Sequence, residues 1–256
     1  MTHELPGIEH FNEFNESFPS KQKQIWPEAE DQIHCREWKR AKGLLPYLRK
    51  DKKIRILHLC CGEGSTCISL AQQLDCTVVG IDMVTDHIST ATESARMHKL
   101  SERVSFVHGN IFHLPFDHSS FDYVIGQDPD GIGHHKRELI FKEVFRILKP
   151  SGGFMFDHWA RYLFTAPGVK KQFDSVSSSG GFKSFKNLNT DAYLSALLIS
   201  GFTSFFYVDQ SSQYKRHMQP IKAKSVSDVD PWTELWLSAS RTNTLGFMMF
   251  ATKINT

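Results

Sequence analysis

The sequence predicts an α/β fold in which a mostly parallel sheet carries helices on both faces. Three observations predict it. From Ile54 onward short apolar runs alternate with amphipathic stretches, the pattern of βαβ units. The stretch "ILHLCCGEGSTCISLAQ", Ile56 to Gln72, joins a strand-like run to a helix-like one through two glycines. And 256 residues, 40% hydrophobic and 23% charged, suffice for one sizeable core.

Residues 1 to 50 read as a leader, mixed polar and aromatic, with Phe11, Phe14, Phe18 and Trp26 ahead of a helix from about Glu28 to Leu48. The basic run "KRAKGLLPYLRKDKK" contains Leu44, Leu45, Tyr47 and Leu48 and reads as a helix end with a solvated face. Strands follow over 54–59, 76–82, 104–110, 121–127 and 152–159, with helices between them. In the helix "HKRELIFKEVFRILKP" the spacing places Leu139, Val144, Ile147 and Leu148 on one broad face, and Pro150 with Gly152 and Gly153 stops it. After Trp159 the period is lost, so 160–189 reads as an insertion over a sheet edge. "TDAYLSALLISGF" resumes the core as a helix, with Thr190 a plausible N-cap and Gly201 a stop. The strand "FTSFFYVDQ" comes next. Residues 211–244 are too many for a hairpin, and Trp232, Leu235 and Trp236 mark an apolar helical face, so the segment is a candidate lid. "LGFMMFATK" (245–253) is the last strand. The expectation is one domain over 1–256, with its core at 54–160.

Composition limits the function. Thirty basic against 28 acidic side chains give a formal charge of +2, which offers no broad positive field for nucleic acid. The start "MTHELPGIEHFNEF" has no basic-then-apolar leader, and no uninterrupted apolar run approaches the roughly 18 residues of a membrane span. Five cysteines are an odd set and four lie between Cys60 and Cys76, so reduced thiols and a cytoplasmic address are expected.

The glycine stretch could be a ligand cradle, a metal or redox site, or a tight turn. Gly62 and Gly64 sit between a strand and the helix "STCISLAQQL", where bare backbone and a helix N-terminus can meet a polar group. Asp82 follows Gly62 by twenty residues at the end of the next strand, where a carboxylate can accept the ribose hydroxyls of a nucleoside-bearing cofactor. Asn110 and Ile111 lie farther along the same edge, able to bond and cover a base. Three strand ends then build one pocket.

These residues resemble the class I S-adenosylmethionine-dependent methyltransferases. "ILHLCCGEG" is similar to their first motif, "VVGID" to their acidic second strand, "GNIFHLPF" to their adenine loop, "FDYVIGQD" to their fourth strand and "EVFRILKPSGGFMF" to their helix, turn and fifth strand. The match covers about 54–160. Its phrasing most resembles the small-molecule enzymes of the quinone, tocopherol and sarcosine type. The resemblance implies a Rossmann-like, seven-stranded sheet whose last strand is antiparallel, and S-adenosylmethionine as cofactor with S-adenosylhomocysteine as product. It implies that Gly62 and Gly64 admit the methionine moiety, Asp82 binds the ribose, Met83 and Ile111 cover the adenine faces, and Asn110 meets the adenine amine. His58, Cys60 and Gln127 join them as cofactor-side candidates. His58 stands where the family has an acidic residue, Cys60 where it has glycine and Asn110 where it has aspartate. Cys60 suits its place if that position avoids positive φ.

The expected reaction is in-line methyl transfer to the nitrogen, oxygen or carbon of a small-molecule acceptor, without a metal. Asp128 and His134 are the catalytic candidates, because they follow the fourth strand. A neutral imidazole at His134 can take a proton, and Asp128 can hold a substrate cation. His135 begins a helix and reads as surface; Asp130 and Gly131 read as turn residues. Cys60, Cys61, Cys67 and Cys76 contain no C-x-x-C pair and read as packing and turn positions, not metal ligands. Trp26, Tyr162, Tyr214, Trp232 and Trp236 read mainly as packing, with some over substrate. Three rivals stay open: an RNA or protein methyltransferase, a nicotinamide-dependent oxidoreductase, against which the missing third glycine of G-x-G-x-x-G counts, and a silent binding protein of this fold. A homodimer is left open.

Overall fold

The computed structural model describes residues 45–50, 53–127, 137–161, 190–209 and 244–254. Seven strands form one sheet in the order β3-β2-β1-β4-β5-β7-β6. They are β1 (Ile54–Leu59), β2 (Cys76–Asp82), β3 (Val104–His108), β4 (Phe121–Gln127), β5 (Leu148–Arg161), β6 (Ser204–Asp209) and β7 (Thr244–Thr252). The first five pair in parallel, while β7 runs antiparallel to both neighbours, β5 and β6. Among the described residues four helices accompany them: α1 (Ser65–Gln73), α2 (Thr85–Met97), α3 (Arg137–Ile147) and α4 (Thr190–Ile199).

The strands are apolar on both faces because helices cover both. Alternation along β1 sends Leu57 and Leu59 to one side, where they pack with Ile140, Phe141 and Val144 of α3 and Tyr193 and Leu197 of α4. It sends Ile54 and Ile56 to the other, against Cys67, Ile68 and Leu70 of α1 and Ala95 of α2. Phe141, Phe154 and Phe156 meet at centroid distances of 5.3, 5.2 and 4.7 Å on the α3 side, so aromatic contacts fix that helix to β5.

Several sequence expectations are corrected. Leu139 is 44% exposed, and the buried face of α3 is Arg137, Ile140, Phe141, Val144 and Ile147. At 100° per residue Leu139 lies well off that stripe, and its apolarity alone does not bury it. The fifth strand begins at Leu148, directly after the helix, with a register shift between Phe121 and Tyr123 as it joins β4. No helix separates β3 from β4: residues 109–120 form a loop, with an Asx turn at Asn110 and Pro115 where a helix would have to grow. Residues 45–48 of the expected leader helix form a 3-10 turn (Leu45–Tyr47) and a bend. Residues 1–44 of the leader, and 162–189 and 210–243, lie outside the described residues.

Candidate functional site

The carboxyl ends of β1, β2 and β3 lie side by side. After Leu59 the chain turns through Cys60, Cys61, Gly62, Glu63 and Gly64 into α1, and three of these residues have positive φ: Cys60 at 51°, Gly62 at 51° and Gly64 at 82°. The condition under which Cys60 would sit easily is therefore not met, because its backbone is left-handed where glycine carries no Cβ penalty. The turn is held by Cys61 N donating to Ile81 O at 3.0 Å and Gly64 N to Cys61 O at 3.1 Å.

Two glycines serve different ends. A Cβ on Gly62 would meet nothing within 4 Å among the described residues, so these leave space over the turn for a ligand. A Cβ on Gly64 would strike the Phe106 ring, with Cε1 at 2.7 Å, and Ala91 Cβ at 3.0 Å. The same ring lies over Gly80, where an added Cβ would stand 2.6 Å from Phe106 Cδ1. Phe106 thus locks the glycine turn against β2 and β3. Gly64 also caps α1 and, as glycine, makes no side-chain cap hydrogen bond of its own.

Asp82 ends β2 and is 9% exposed. Its Oδ2 accepts from Gly62 N at 2.9 Å, its Oδ1 accepts from Val84 N at 3.0 Å, and His87 Nδ1 stands 3.5 Å from Oδ1. Burial pushes its carboxyl up, but the His87 contact and the two amides together outweigh burial and hold it below the usual range. The Asp82 contact in turn raises His87, with burial opposing. The ribose candidate is therefore an ionised carboxylate already aimed by the glycine turn.

Beyond β3, Gly109 N donates to Asp82 O at 2.9 Å, which ties the next loop to the same site. Asn110 is 6% exposed and Ile111 4%. Asn110 Oδ1 accepts from Phe112 N at 2.9 Å, and this fixes which end of the amide is oxygen. Its Nδ2 is buried and, among the described residues, has no hydrogen-bond partner. The open atom is thus a donor, suited to a ring nitrogen, whereas the resemblance implied an acceptor for an adenine amine. Met83 is half-buried, and its carbonyl accepts from His108 Nε2 at 2.9 Å.

His58 is 1% exposed, with Nδ1 3.4 Å from Cys67 Sγ of α1. Cys60 packs on the α3 and α4 side and Cys61 on the α1 side, so the pair faces opposite ways. The Cys61 thiol is pushed far up by its contact with Cys67 and by burial, and burial raises Cys76 to about 11. Such thiols stay protonated and pack as small apolar groups. Among the described residues no group of three or more His, Cys, Asp or Glu is placed to hold a metal.

Gln127 ends β4, which pairs with β1 through Leu59 and Gly126, so the chain leaves β4 beside the glycine turn. Asp128, His134 and His135 lie outside the described residues, as do Tyr162, Tyr214, Trp232 and Trp236. Sequence reasoning missed His87 and Phe106. The signal for His87 was its place in the first turn of α2, five residues past Asp82; for Phe106 it was a large ring on the strand flanking two glycines.

Comparison with known proteins gives a family and a shared fold. The family described as "Methyltransferase domain" matches residues 50–200. A sterol 24-C-methyltransferase of Debaryomyces hansenii is 28% identical over 109 residues, 43% of this chain and 29% of that protein. A demethylmenaquinone methyltransferase of Lactiplantibacillus plantarum is 31% identical over 122 residues, 45% of this chain and 48% of that protein. The chain thus spans less than half the length of these curated relatives. The solved geranyl diphosphate C-methyltransferase of Streptomyces coelicolor A3(2), in complex with Mg2+, geranyl diphosphate and S-adenosyl-L-homocysteine, shares the fold with a TM-score of 0.72 at 15% identity, covering 92% of this chain and 86% of that one. No helix among the described residues is long and apolar enough to cross a membrane.

Proposed function

The chain belongs to the methyltransferase-domain family, and on that premise we propose that it moves the methyl group of S-adenosylmethionine to a small-molecule acceptor at nitrogen, oxygen or carbon, in the cytoplasm. The observation that carries this reading is the Asp82 carboxylate, ionised and bonded at 2.9 Å to Gly62 N beneath space that the described residues leave, with the buried donor of Asn110 one strand away. These groups fit a nucleoside with a polar tail. When bound, S-adenosylmethionine supplies a sulfonium methyl that is already electrophilic.

The rest is the work of this chain's residues. Asp82 accepts ribose hydroxyls, and Met83 and Ile111 cover the faces of the base. Asn110 donates to a ring nitrogen. The turn at Gly62 and Gly64 admits the methionine portion, with Cys60 and His58 beneath it and Gln127 at its flank. Orientation and exclusion of water then do most of what an activated donor requires. Asp128 and His134 follow β4 and are assigned to the acceptor: His134 takes the proton of a nucleophile that is protonated at neutral pH, and Asp128 orients it. The small-molecule class is supported by the sterol and demethylmenaquinone methyltransferases among the relatives and by the balanced charge of the chain.

A second reading is favoured by one observation. His58, at the position of the family's acidic residue, is buried with its ring on Cys67, so the carboxylate for the donor's amino end is replaced, which suits a silent binding protein of this fold.

Calorimetric titration of the full chain with S-adenosylmethionine and S-adenosylhomocysteine, repeated on Asp82→Asn, tests the cofactor site. Saturable binding is expected, weakened about tenfold or more in the variant, because an amide cannot accept at both of its heavy atoms. Absence of binding by folded wild-type protein overturns the proposal and favours the second reading.

A further inference from the structure

We propose that Glu143 and Arg146, one turn apart on α3, are the positioning pair of the base-side loop and set affinity for the adenine portion of the cofactor without touching it; the inference rests on the cofactor reading above. The loop 109–120 has no regular structure of its own, so its backbone groups need partners elsewhere. Its first residues are tied to β2 by Gly109 N on Asp82 O and carry Asn110 and Ile111. Its middle is held by the pair on α3.

Arg146 Nη1 donates to Phe116 O at 2.7 Å and Nη2 to Leu114 O at 2.9 Å. The same guanidinium grips Glu143 with two bonds, Nε to Oε1 at 2.9 Å and Nη2 to Oε2 at 2.8 Å. Glu143 Oε2 also accepts from Leu114 N at 2.8 Å. Both backbone groups of Leu114 are therefore fixed by one ion pair, and the α3 backbone adds Arg146 O and Ile147 O as acceptors for Ser119 N and Ser120 N. The side chains are 25% and 21% exposed, sheltered enough to order the pair yet not sealed in the core.

The consequence runs back along the loop. Phe112, whose amide holds Asn110 Oδ1, and Leu114 are both buried beside Ile140 and Val144 of α3. Loosening the Leu114 anchor frees the segment that aims Asn110 Nδ2 and Ile111, while Asp82 and the glycine turn keep their own bonds on β1 and β2. The planar fork of arginine makes four bonds here that the single ammonium of lysine cannot reproduce. The pair thus acts on the base and spares the ribose and the amino-acid tail.

The test titrates the full chain, wild type and Arg146→Lys, with S-adenosylhomocysteine and with S-ribosylhomocysteine, which keeps ribose and tail but lacks adenine. Arg146→Lys is used because Arg146→Ala leaves Glu143 unpaired and can fail to fold; thermal unfolding of each sample checks this. The expected result is a loss of about tenfold for S-adenosylhomocysteine with S-ribosylhomocysteine unchanged within about twofold. Equal losses for both ligands, or none for either, assign the pair a purely structural role and overturn the inference. Failure of the wild type to bind S-adenosylhomocysteine would instead bring down the cofactor reading itself, before any variant is compared.

Discussion

Cys60 and Gly62 share a φ of 51° two residues apart, so the glycine turn contains its own control. At an ordinary position alanine is more stable than glycine by about 0.5–1 kcal/mol, because glycine loses more backbone freedom on folding. A left-handed backbone costs a residue with a Cβ about 1–2 kcal/mol, which exceeds that gain. Comparing Cys60→Gly with Cys60→Ala removes the thiol in both and leaves only the Cβ and the backbone. The glycine variant should be the more stable of the two by about 0.5–1 kcal/mol. At Gly62 an added Cβ touches none of the described residues, so Gly62→Ala should be less stable than wild type by a similar amount, from backbone strain. Urea unfolding of the three variants with shared slopes reads both differences, and thermal midpoints should separate by about 2–4 °C per kcal/mol for a chain of this size. If Cys60→Ala equals or exceeds Cys60→Gly, the folded protein does not hold residue 60 left-handed and the strain argument fails. Cys60→Gly against wild type should be nearly neutral, since the lost contact of a half-buried thiol offsets relief of strain.

Two further outcomes follow from contacts at the same site. His87 has a raised folded pKa, so its contribution is fully present below its unfolded value of about 6.5 and disappears as pH rises through the folded one. Asp82 is depressed, so its contribution is present above about 3.9 and is lost as pH falls through its folded value. The stability advantage of wild type over His87→Gln should therefore shrink from mildly acidic to alkaline pH, measured as urea midpoints across that range. An advantage independent of pH removes the His87–Asp82 pairing. Gly64→Ala should cost about 3 kcal/mol, because its Cβ meets the Phe106 ring as well as an unfavourable φ of 82°. A double-mutant cycle with Phe106→Ala should recover part of that cost, and strict additivity would show that the ring is not the obstacle.

Much of the site was legible because its signals are local. Strand, glycine turn and helix occupy one continuous stretch, and Asp82 falls at the end of the next apolar run, so the period of the pattern alone brings both to one sheet edge. The parallel order of the first strands followed from the alternation of helix and strand. The loop at 109–120 was harder: helices between strands are the common case, and only the Asx turn with the contacts of α3 shows why this connection stays irregular. Leu139 was assigned to the core by the spacing of apolar residues, but burial depends on which stripe of α3 meets β5.

By itself the sequence determined the alternation of elements, the glycine cradle and the acidic strand end, since each depends on residues near in the chain. Tertiary structure alone decided the left-handed backbone at Cys60, the donor left open on Asn110, the His87 contact that tunes Asp82 and the Glu143–Arg146 grip on Leu114. Each of these is set by which groups come within hydrogen-bond distance once the chain is folded, where the competition for buried partners, not local propensity, chooses the outcome.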